Sequence, residues 1–144
     1  MERSDLIAFL KQRRFGVVSS IGPDGRPQSA VVGLAFSDEG DAVFDTVDSS
    51  GKAQNLRRDA RAALVVWEGE RTLQMEGRID EPTGSERERV RAVYFAAFPD
   101  GVERLAWKGI THFRLRPTWV RYSDFNAQPE PFIVELSSGF TSVR

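Results

Sequence analysis

The chain contains no cysteine and a single histidine, His112. Without cysteine it has no disulfide, no thiolate metal site and no cysteine nucleophile, a composition that suits a reducing cytoplasm. One histidine is too few for a histidine-rich metal site, and His112 lacks the partners that a catalytic triad needs. These absences leave no metal site and no residue pattern typical of hydrolytic catalysis.

The sequence also lacks a strong excess of charge and a long apolar run. Its 20 Lys and Arg against 21 Asp and Glu give a formal net charge of -1, so we expect no general attraction to nucleic acid or to anionic membranes. No apolar run approaches the length of about 18 residues that suggests a membrane span. The N-terminal segment, with Lys11, Arg13 and Arg14, does not resemble a signal peptide. We therefore predict a cytoplasmic protein whose anionic ligand, if it has one, is small and bound locally.

Short alternating segments dominate what is present. The pattern predicts strands over 15–21, 26–36, 42–46, 62–67, 72–79, 110–115 and 119–122, and a short helix over 50–58. The length of 144 residues suits a single domain, 1–144, with an N-terminal helix in 1–14 and a tail, 128–144, whose polar end we expect to fray. Because the first three strands are joined by turns alone, the pattern favours an antiparallel barrel with helices at its ends over a parallel fold.

Capping residues locate two of the helices. Ser4 is the predicted cap of the N-terminal helix. Ser85 and Glu88 have the spacing of a capping box, and they precede an apolar stripe that ends near Pro99. We therefore predict a second amphipathic helix in the later part of the chain.

The most informative segment joins the third predicted strand to the short helix. Thr46 ends the strand, Ser49 and Ser50 follow, and Lys52 lies in the first turn of the helix. A helix start attracts anions, and a cation there is normally unfavourable. A negative ligand shared by Lys52 and the two serine hydroxyls would explain this exception. The alternative is an ordinary helix cap beside a solvated lysine, and the residues alone leave both interpretations open.

Several enzyme templates do not fit the sequence. Gly51-Lys52 matches the end of a phosphate-binding P-loop, but Thr46 stands where its first glycine belongs and Ala53 where Ser or Thr is needed. The patterns Gly-x-Gly-x-x-Gly, His-Glu-x-x-His and Gly-x-Ser-x-Gly are absent. A nucleoside triphosphatase is therefore not expected.

Several short motifs follow one another in a distinctive order. A Pro-Asp-Gly turn at 23–25 leads into a strand, and the later motifs are Phe44-Asp45-Thr46, Ser50-Gly51-Lys52, Asn55-Leu56 and Asp59-Ala60-Arg61 before an apolar strand. In order and spacing these motifs resemble the pyridoxamine 5′-phosphate oxidase-like family of flavin-binding split β-barrels. The resemblance runs over about 15–79, with a weaker match at 116–122, and is strongest to the short branch related to general stress proteins.

This resemblance implies a mainly β fold, a six-stranded antiparallel split barrel with flanking helices. It also implies a homodimer that holds two FMN molecules at the subunit interface. In such proteins the FMN phosphate would lie at Ser50, Gly51 and Lys52. Asp45 and Thr46 would lie beside the ribityl chain or the phosphate.

The resemblance further implies where the flavin ring lies. The ring would follow a run of four strand residues: Ser29, Ala30, Val31 and Val32. Gln74, or Thr72 on the same face, would supply a polar side chain near the isoalloxazine. Tyr122 falls near the position where the true oxidases keep a tryptophan against the cofactor.

Departures from the true oxidases shape the functional expectation. The chain lacks their arginine near Ala30, their lysine near Ala35 and their arginine at Gly51, and residues 132–144 do not match their C-terminal substrate-binding segment. We therefore expect an FMN-dependent oxidoreductase of unidentified substrate, with vitamin B6 oxidation doubtful. The flavin would perform the redox chemistry, so no acid–base pair needs to stand out.

Three alternatives remain open at this level. A deazaflavin-dependent reductase would use Arg57 and Arg58 for the longer acidic tail of its cofactor. A non-enzymatic flavin or haem-binding stress protein would have only His112 as a haem-ligating histidine. A cofactor-free interaction domain would bind no flavin.

Overall fold

The computed structural model describes residues 1–140 of the chain. Its three α-helices, one 3₁₀ helix and eight strands follow in the order α1 (Arg3–Lys11), β1 (Phe15–Ile21), β2 (Pro27–Gly33), β3 (Ala35–Phe36), β4 (Ala42–Val47), α2 (Gly51–Arg58), β5 (Arg61–Glu68), β6 (Arg71–Asp80), α3 (Gly84–Ala97), the 3₁₀ helix (Pro99–Ala106), β7 (Ile110–Asp124) and β8 (Phe132–Phe140).

The strands of the described part of the chain form one antiparallel sheet. Its order is β2-β1-β5-β6-β7-β4-β3, and β8 pairs with β7 outside this path. The edge strands β2 and β3 follow each other in sequence and are separated only by Leu34, so the sheet curls into a split barrel. The predicted mainly β split barrel with flanking helices is confirmed.

The main core fills the inner face of the barrel. Phe44 on β4 and Phe113 on β7 are fully buried, with ring centroids 5.9 Å apart. The amphipathic helix α1 adds four buried side chains: Leu6, Ile7, Phe9 and Leu10. Helix α2 contributes Ala53 and Leu56 to the same core, so the start of α2 is held firmly against the barrel.

The outer face of the sheet is divided into two parts. Helix α3 packs over β3 and β4 through a second apolar cluster: Ala35, Val43, Val90, Tyr94 and Phe98. This side of the sheet, with Asp45, His112 and Arg114, is called the covered half. The remaining outer face carries Val17, Val31, Val65, Gln74 and Trp119 and is called the open half. Within residues 1–140 no helix packs over it, and Val31 is 69% exposed.

The two predicted capping residues are wrong, although both helices are present. Helix α1 begins at Arg3, and its capping box is formed by Glu2 and Asp5, so Ser4 lies inside the first turn. Helix α3 begins at Gly84, after Thr83, with no side-chain cap. Ser85 is therefore already helical and lacks the extended backbone that an N-cap residue needs.

The strand pattern differs from the prediction near Pro117. The two strands predicted over 110–115 and 119–122 are one strand, β7, because Pro117 lies at a bulge where the pairing register shifts between Glu76 and Gly77. A bulge tolerates proline because the ladder is already interrupted there. A side chain at Gly77 would overlap the carbonyl oxygen of Arg116. In contrast, the strand predicted over 26–36 is split at Leu34 into β2 and β3.

The tail is ordered further along the chain than predicted, because part of its polar end belongs to a strand. Strand β8 pairs with β7 from Phe132 to Leu136, and Phe140 is 3% exposed in the main core. The barrel sheet therefore has eight strands among residues 1–140, not the six predicted; residues 141–144 of the tail lie outside the described part. None of the helices in that part is long and apolar enough to cross a membrane.

Candidate functional site

The start of α2 is built around Ser50. Its backbone is extended, and its hydroxyl oxygen accepts a hydrogen bond from the Ala53 N–H at 3.0 Å. The Thr46 and Ser50 hydroxyls are 3.0 Å apart and hydrogen-bonded. The amides of Gly51 and Lys52 lie in the first turn, where a helix offers them no acceptor. Within residues 1–140, and apart from the neighbouring backbone of the helix itself, no atom lies within 4 Å of where a Gly51 side chain would begin, so this turn is open to a ligand.

Lys52 occupies an unusual environment for a lysine. Its ammonium lies 5.8 Å from the centroid of the Phe44 ring, and it makes no ion pair with residues 1–140. Partial burial lowers the pKa of Lys52, and the charge of Asp45 opposes this effect only in part. A half-buried ammonium beside free helix amides is suited to an anion.

A small cavity links Lys52 to the edge strand β2. It has a volume of about 110 Å³, and Lys52, Ser29 and Ala30 all line it. The structure therefore brings together three residues that the sequence assigned to one cofactor. Thr46 and Ser50 do not line this cavity; they are bonded to each other at the start of α2, where Ser50 precedes Lys52 by two residues.

Asn55 positions this helix, a role that the sequence reasoning missed. It is 3% exposed, and its amide nitrogen donates to Ser20 Oγ at 3.1 Å and to Gln28 Oε1 at 2.7 Å. Its amide oxygen accepts from Arg58 at 2.7 Å. Asn55 thereby ties α2 to β1 and β2. An asparagine inside a helix is unfavourable on its own. Its presence in the predicted helix was the sequence signal that could have indicated a positioning role for Asn55.

The structure does not bring Asp45 to the Lys52 cavity. Neighbouring strand residues point to opposite faces, and Thr46 bonds to α2 while Asp45 faces α3. The Asp45 carboxylate accepts from the Tyr94 hydroxyl at 3.1 Å and from Arg104 Nε at 2.8 Å. Asp45 is therefore bound within the covered half.

The two valines of the predicted flavin strand have opposite environments. Val31 is 69% exposed on the open half, whereas Val32 is 8% exposed and belongs to the main core. Val32 thus has no side-chain access to a ligand on the open half. Its backbone remains on the edge strand β2.

Gln74 lies in a groove on the open half. The groove has a volume of about 360 Å³, and Gln74 and Thr72 both line it together with Trp119. Tyr122 does not reach this groove: it is 3% exposed and packs edge-on against Phe9 at 5.5 Å. Trp119, on the opposite face of β7, is the aromatic residue beside Gln74, and its Nε1 donates to Glu135 at 2.7 Å.

A larger cavity of about 530 Å³ shares lining residues with both of these places. Ser20 lines both this cavity and the Lys52 cavity. Ser19, Ala63 and Glu76 line both this cavity and the Gln74 groove. The three openings are therefore adjacent across β1 and β5, and together they offer room for an extended ligand.

The groups that a deazaflavin tail or a haem would require are either paired or buried. Arg57 is paired with Asp48 at 2.5 Å and with Glu81 at 2.7 Å, and these partners raise its pKa. Arg58 bonds to Asn55. His112 is 3% exposed, lies edge-on to Tyr94 and Phe95, and has its pKa lowered by burial. It lines none of the cavities described above.

Similar structures agree with the observed fold. The heme binding protein of Mycobacterium smegmatis superposes with a TM-score of 0.79 at 19% identity, covering 98% of this chain and 59% of that one. A pyridoxamine 5′-phosphate oxidase-related, FMN binding protein of Nostoc punctiforme has a TM-score of 0.69 at 15% identity, with coverage of 92% and 95%. HutZ, a heme storage protein of Vibrio cholerae, has a TM-score of 0.69 at 17% identity, with coverage of 81% and 91%. At these identities the likeness concerns the fold alone.

Sequence comparison is more specific. The pyridoxine/pyridoxamine 5′-phosphate oxidase of Burkholderia lata is 35% identical over 104 residues, which are 71% of this chain and 47% of that protein. The oxidase of Trichormus variabilis is 34% identical over the same shares. The chain thus spans about half the length of these relatives. The family model described as pyridoxamine 5′-phosphate oxidase matches residues 5–124, and the chain belongs to this family.

Proposed function

We propose that this protein is an FMN-binding flavoprotein that acts as an oxidoreductase on a substrate still to be identified. The observation that carries the proposal is the half-buried Lys52 at the open first turn of α2, in one cavity with Ser29 and Ala30. A phosphate would supply the negative charge that Lys52 otherwise lacks and would accept from the amides of Gly51 and Lys52. Because the chain belongs to this family, we favour the phosphate of a flavin as the bound anion.

The residues around this cavity fit the remainder of the cofactor. From the phosphate at Lys52, the adjoining cavities lead along β2 and β1 toward Gln74 and Trp119 on the open half. Among residues 1–140, β2 is an edge strand of the sheet, so its outward amides and carbonyls could bond a polar ring edge. When bound, FMN would supply hydride or electron transfer, and the protein would bind, orient and tune it.

We further propose that the protein is a homodimer with the cofactor at the interface. The open half supports this proposal because it exposes several apolar side chains beside the cavities: Phe15, Val31 and Trp67 are 58%, 69% and 49% exposed. Exposed apolar patches of this kind mark interaction sites. A second copy placed here would also bury the flavin ring.

FMN is favoured over the alternatives by the positions of three residues. Haem ligation would need an accessible histidine, and His112 is buried beneath α3. The two arginines next to Lys52 that the sequence offers to a longer acidic tail, Arg57 and Arg58, are already bonded. We also propose a cytoplasmic location, because a chain without cysteine suits a reducing compartment.

The proposal is tested by titrating the purified protein with FMN and following flavin fluorescence. We expect Lys52→Ala to weaken FMN binding at least about tenfold, since one charged contact to phosphate contributes on the order of 1.5 kcal/mol or more. Riboflavin, which lacks the phosphate, should bind the variant and the wild type equally. Lys108→Ala, at an exposed lysine, is the matched control. Wild-type FMN affinity in Lys52→Ala would refute the assigned phosphate site.

A further inference from the structure

Three arginines lie side by side across three strands of the barrel. Arg61 on β5 is the register partner of Arg78 on β6, and Arg78 is the register partner of Arg116 on β7. We call these residues the arginine row. Like charges directly opposite each other destabilise a sheet. An arrangement that costs stability in this way suggests a function.

The charges of the row are incompletely neutralised within residues 1–140. Arg61 binds Asp59 through two contacts, at 3.0 and 2.7 Å. Arg116 approaches Asp80 only to 3.9 Å, and Asp80 is already bound by Arg114 at 2.7 Å. Arg78, at the centre of the row, has no ion-pair partner among the described residues.

The row borders the cavity of about 530 Å³. Arg61 and Arg78 line this cavity, as does Thr118 from the bulge of β7. Glu76 is the acidic residue in its wall, and within residues 1–140 it forms no ion pair with Arg78. Bulges are frequent where a strand redirects a side chain toward a site. The cavity wall therefore combines apolar residues, such as Ile21 and Ala62, with two arginines.

We propose that the arginine row is a second anion subsite, which binds a phosphate or carboxylate of the ligand that extends from the flavin site into this cavity. Arginine suits this role because its planar donors match both anions. The subsite is distinct from the Lys52 cavity, which it meets only at Ser20. The inference rests on the proposed function for the neighbouring flavin, whereas anion binding itself is testable without any cofactor.

The first experiment uses inorganic pyrophosphate at low ionic strength and measures thermal unfolding of the cofactor-free protein. We expect pyrophosphate to raise the melting temperature of the wild type. Arg78→Gln should at least halve that rise and raise the apparent dissociation constant at least fivefold. Arg87→Gln, which removes the same charge from the exposed face of α3, should behave as the wild type.

A second readout separates the row from a merely structural role. Without pyrophosphate, Arg78→Gln should unfold at a slightly higher temperature than the wild type at low salt, because the central like charge is gone. This gain should vanish at high salt, where exposed charges are screened. An equal pyrophosphate response in Arg78→Gln and the wild type would overturn the proposal, as would a variant that is less stable than the wild type at low salt.

Flavin titrations then identify the source of the anion. Unchanged affinities for FMN and FAD in Arg78→Gln, together with the lost pyrophosphate response, would assign the subsite to an anionic substrate. Weaker FAD binding with unchanged FMN binding would assign it to the tail of a longer cofactor. A loss of FMN affinity as large as that in Lys52→Ala would contradict a separate subsite. Failure of the wild type to bind FMN would refute the proposed function and leave the pyrophosphate result standing.

Discussion

The covered and open halves of the outer face belong to one sheet but differ in how far their charged side chains are paired and their apolar side chains are buried. In the covered half, charges are paired: Asp45 with Arg104 at 2.8 Å, and the 7% exposed Arg114 with Asp80 and Glu86 at 2.7 and 2.9 Å. In the open half, Val31 is largely exposed and Arg78 is unpaired within residues 1–140. Buried charges need partners, so the covered half is built for stability. The open half is left available for a ligand or a second subunit.

Removing Asp45 should give the largest change in stability. In Asp45→Ala the partly buried Arg104 and the Tyr94 hydroxyl lose their common acceptor, and we expect the free energy of unfolding to fall by about 2 to 3 kcal/mol. Glu76→Ala, at an exposed carboxylate of the open half, should change it by less than about 0.5 kcal/mol. Urea unfolding measures both. If both variants lowered the free energy of unfolding equally, paired charges in the covered half would contribute no more to stability than exposed charges in the open half.

A charge introduced into the open half should disrupt the proposed dimer. We expect the wild type to have twice the chain mass of 16.2 kDa in solution, and Val65→Glu to weaken association at least about tenfold, or 1.4 kcal/mol. Val102→Glu, at a 51% exposed valine of the 3₁₀ helix, is the matched control. Sedimentation measures the masses. A dimeric Val65→Glu protein with wild-type affinity would place the interface elsewhere.

The smallest expected effect is the pH dependence that His112 adds to the covered half. Burial lowers the pKa of His112 in the folded protein, so the unfolded chain takes up this proton at higher pH. The contribution of His112 to stability is therefore complete above about pH 6.5. It is lost as the pH falls toward the folded pKa, with a limiting slope of about 1.4 kcal/mol per pH unit.

His112→Leu should flatten this dependence below about pH 6.5. Urea unfolding at a series of pH values measures the slope for the wild type and the variant. The same slope in both proteins would show that His112 does not titrate on unfolding. Wild-type behaviour of Val102→Glu in the same series would show that the flattening is specific to the buried histidine.

Local sequence signals predicted most of the fold correctly. Alternation located β1, β4, β5 and β6 to within one or two residues, and the Ser50 cap predicted the start of α2. The errors lie where contacts between distant parts of the chain determine the secondary structure. Strand β8 is ordered by pairing with β7, and β7 continues past Pro117 because the bulge opposite Gly77 accommodates it.

The candidate site was predictable only in part, for the same reason. Lys52, Ser50 and Thr46 are neighbours along the chain, so a helix-start argument could place them together. Asp45 and Tyr122 were assigned to the cofactor by resemblance, but the structure places Asp45 with Arg104 and Tyr122 in the core. Trp119 and Asn55 were missed because their roles depend on the neighbours that folding brings to them.

The sequence by itself determined four strands of the barrel, β1, β4, β5 and β6, and the helix start with its exceptional lysine, since alternation and the Ser50 cap act over a few residues. Only the tertiary structure decided which outer face α3 covers, which side chains share a cavity with Lys52, and that Arg61, Arg78 and Arg116 stand in one row. These features depend on cross-strand register and helix packing. Register and packing are both determined by contacts between residues far apart in the chain. The energies of these contacts cannot be inferred from a local sequence pattern.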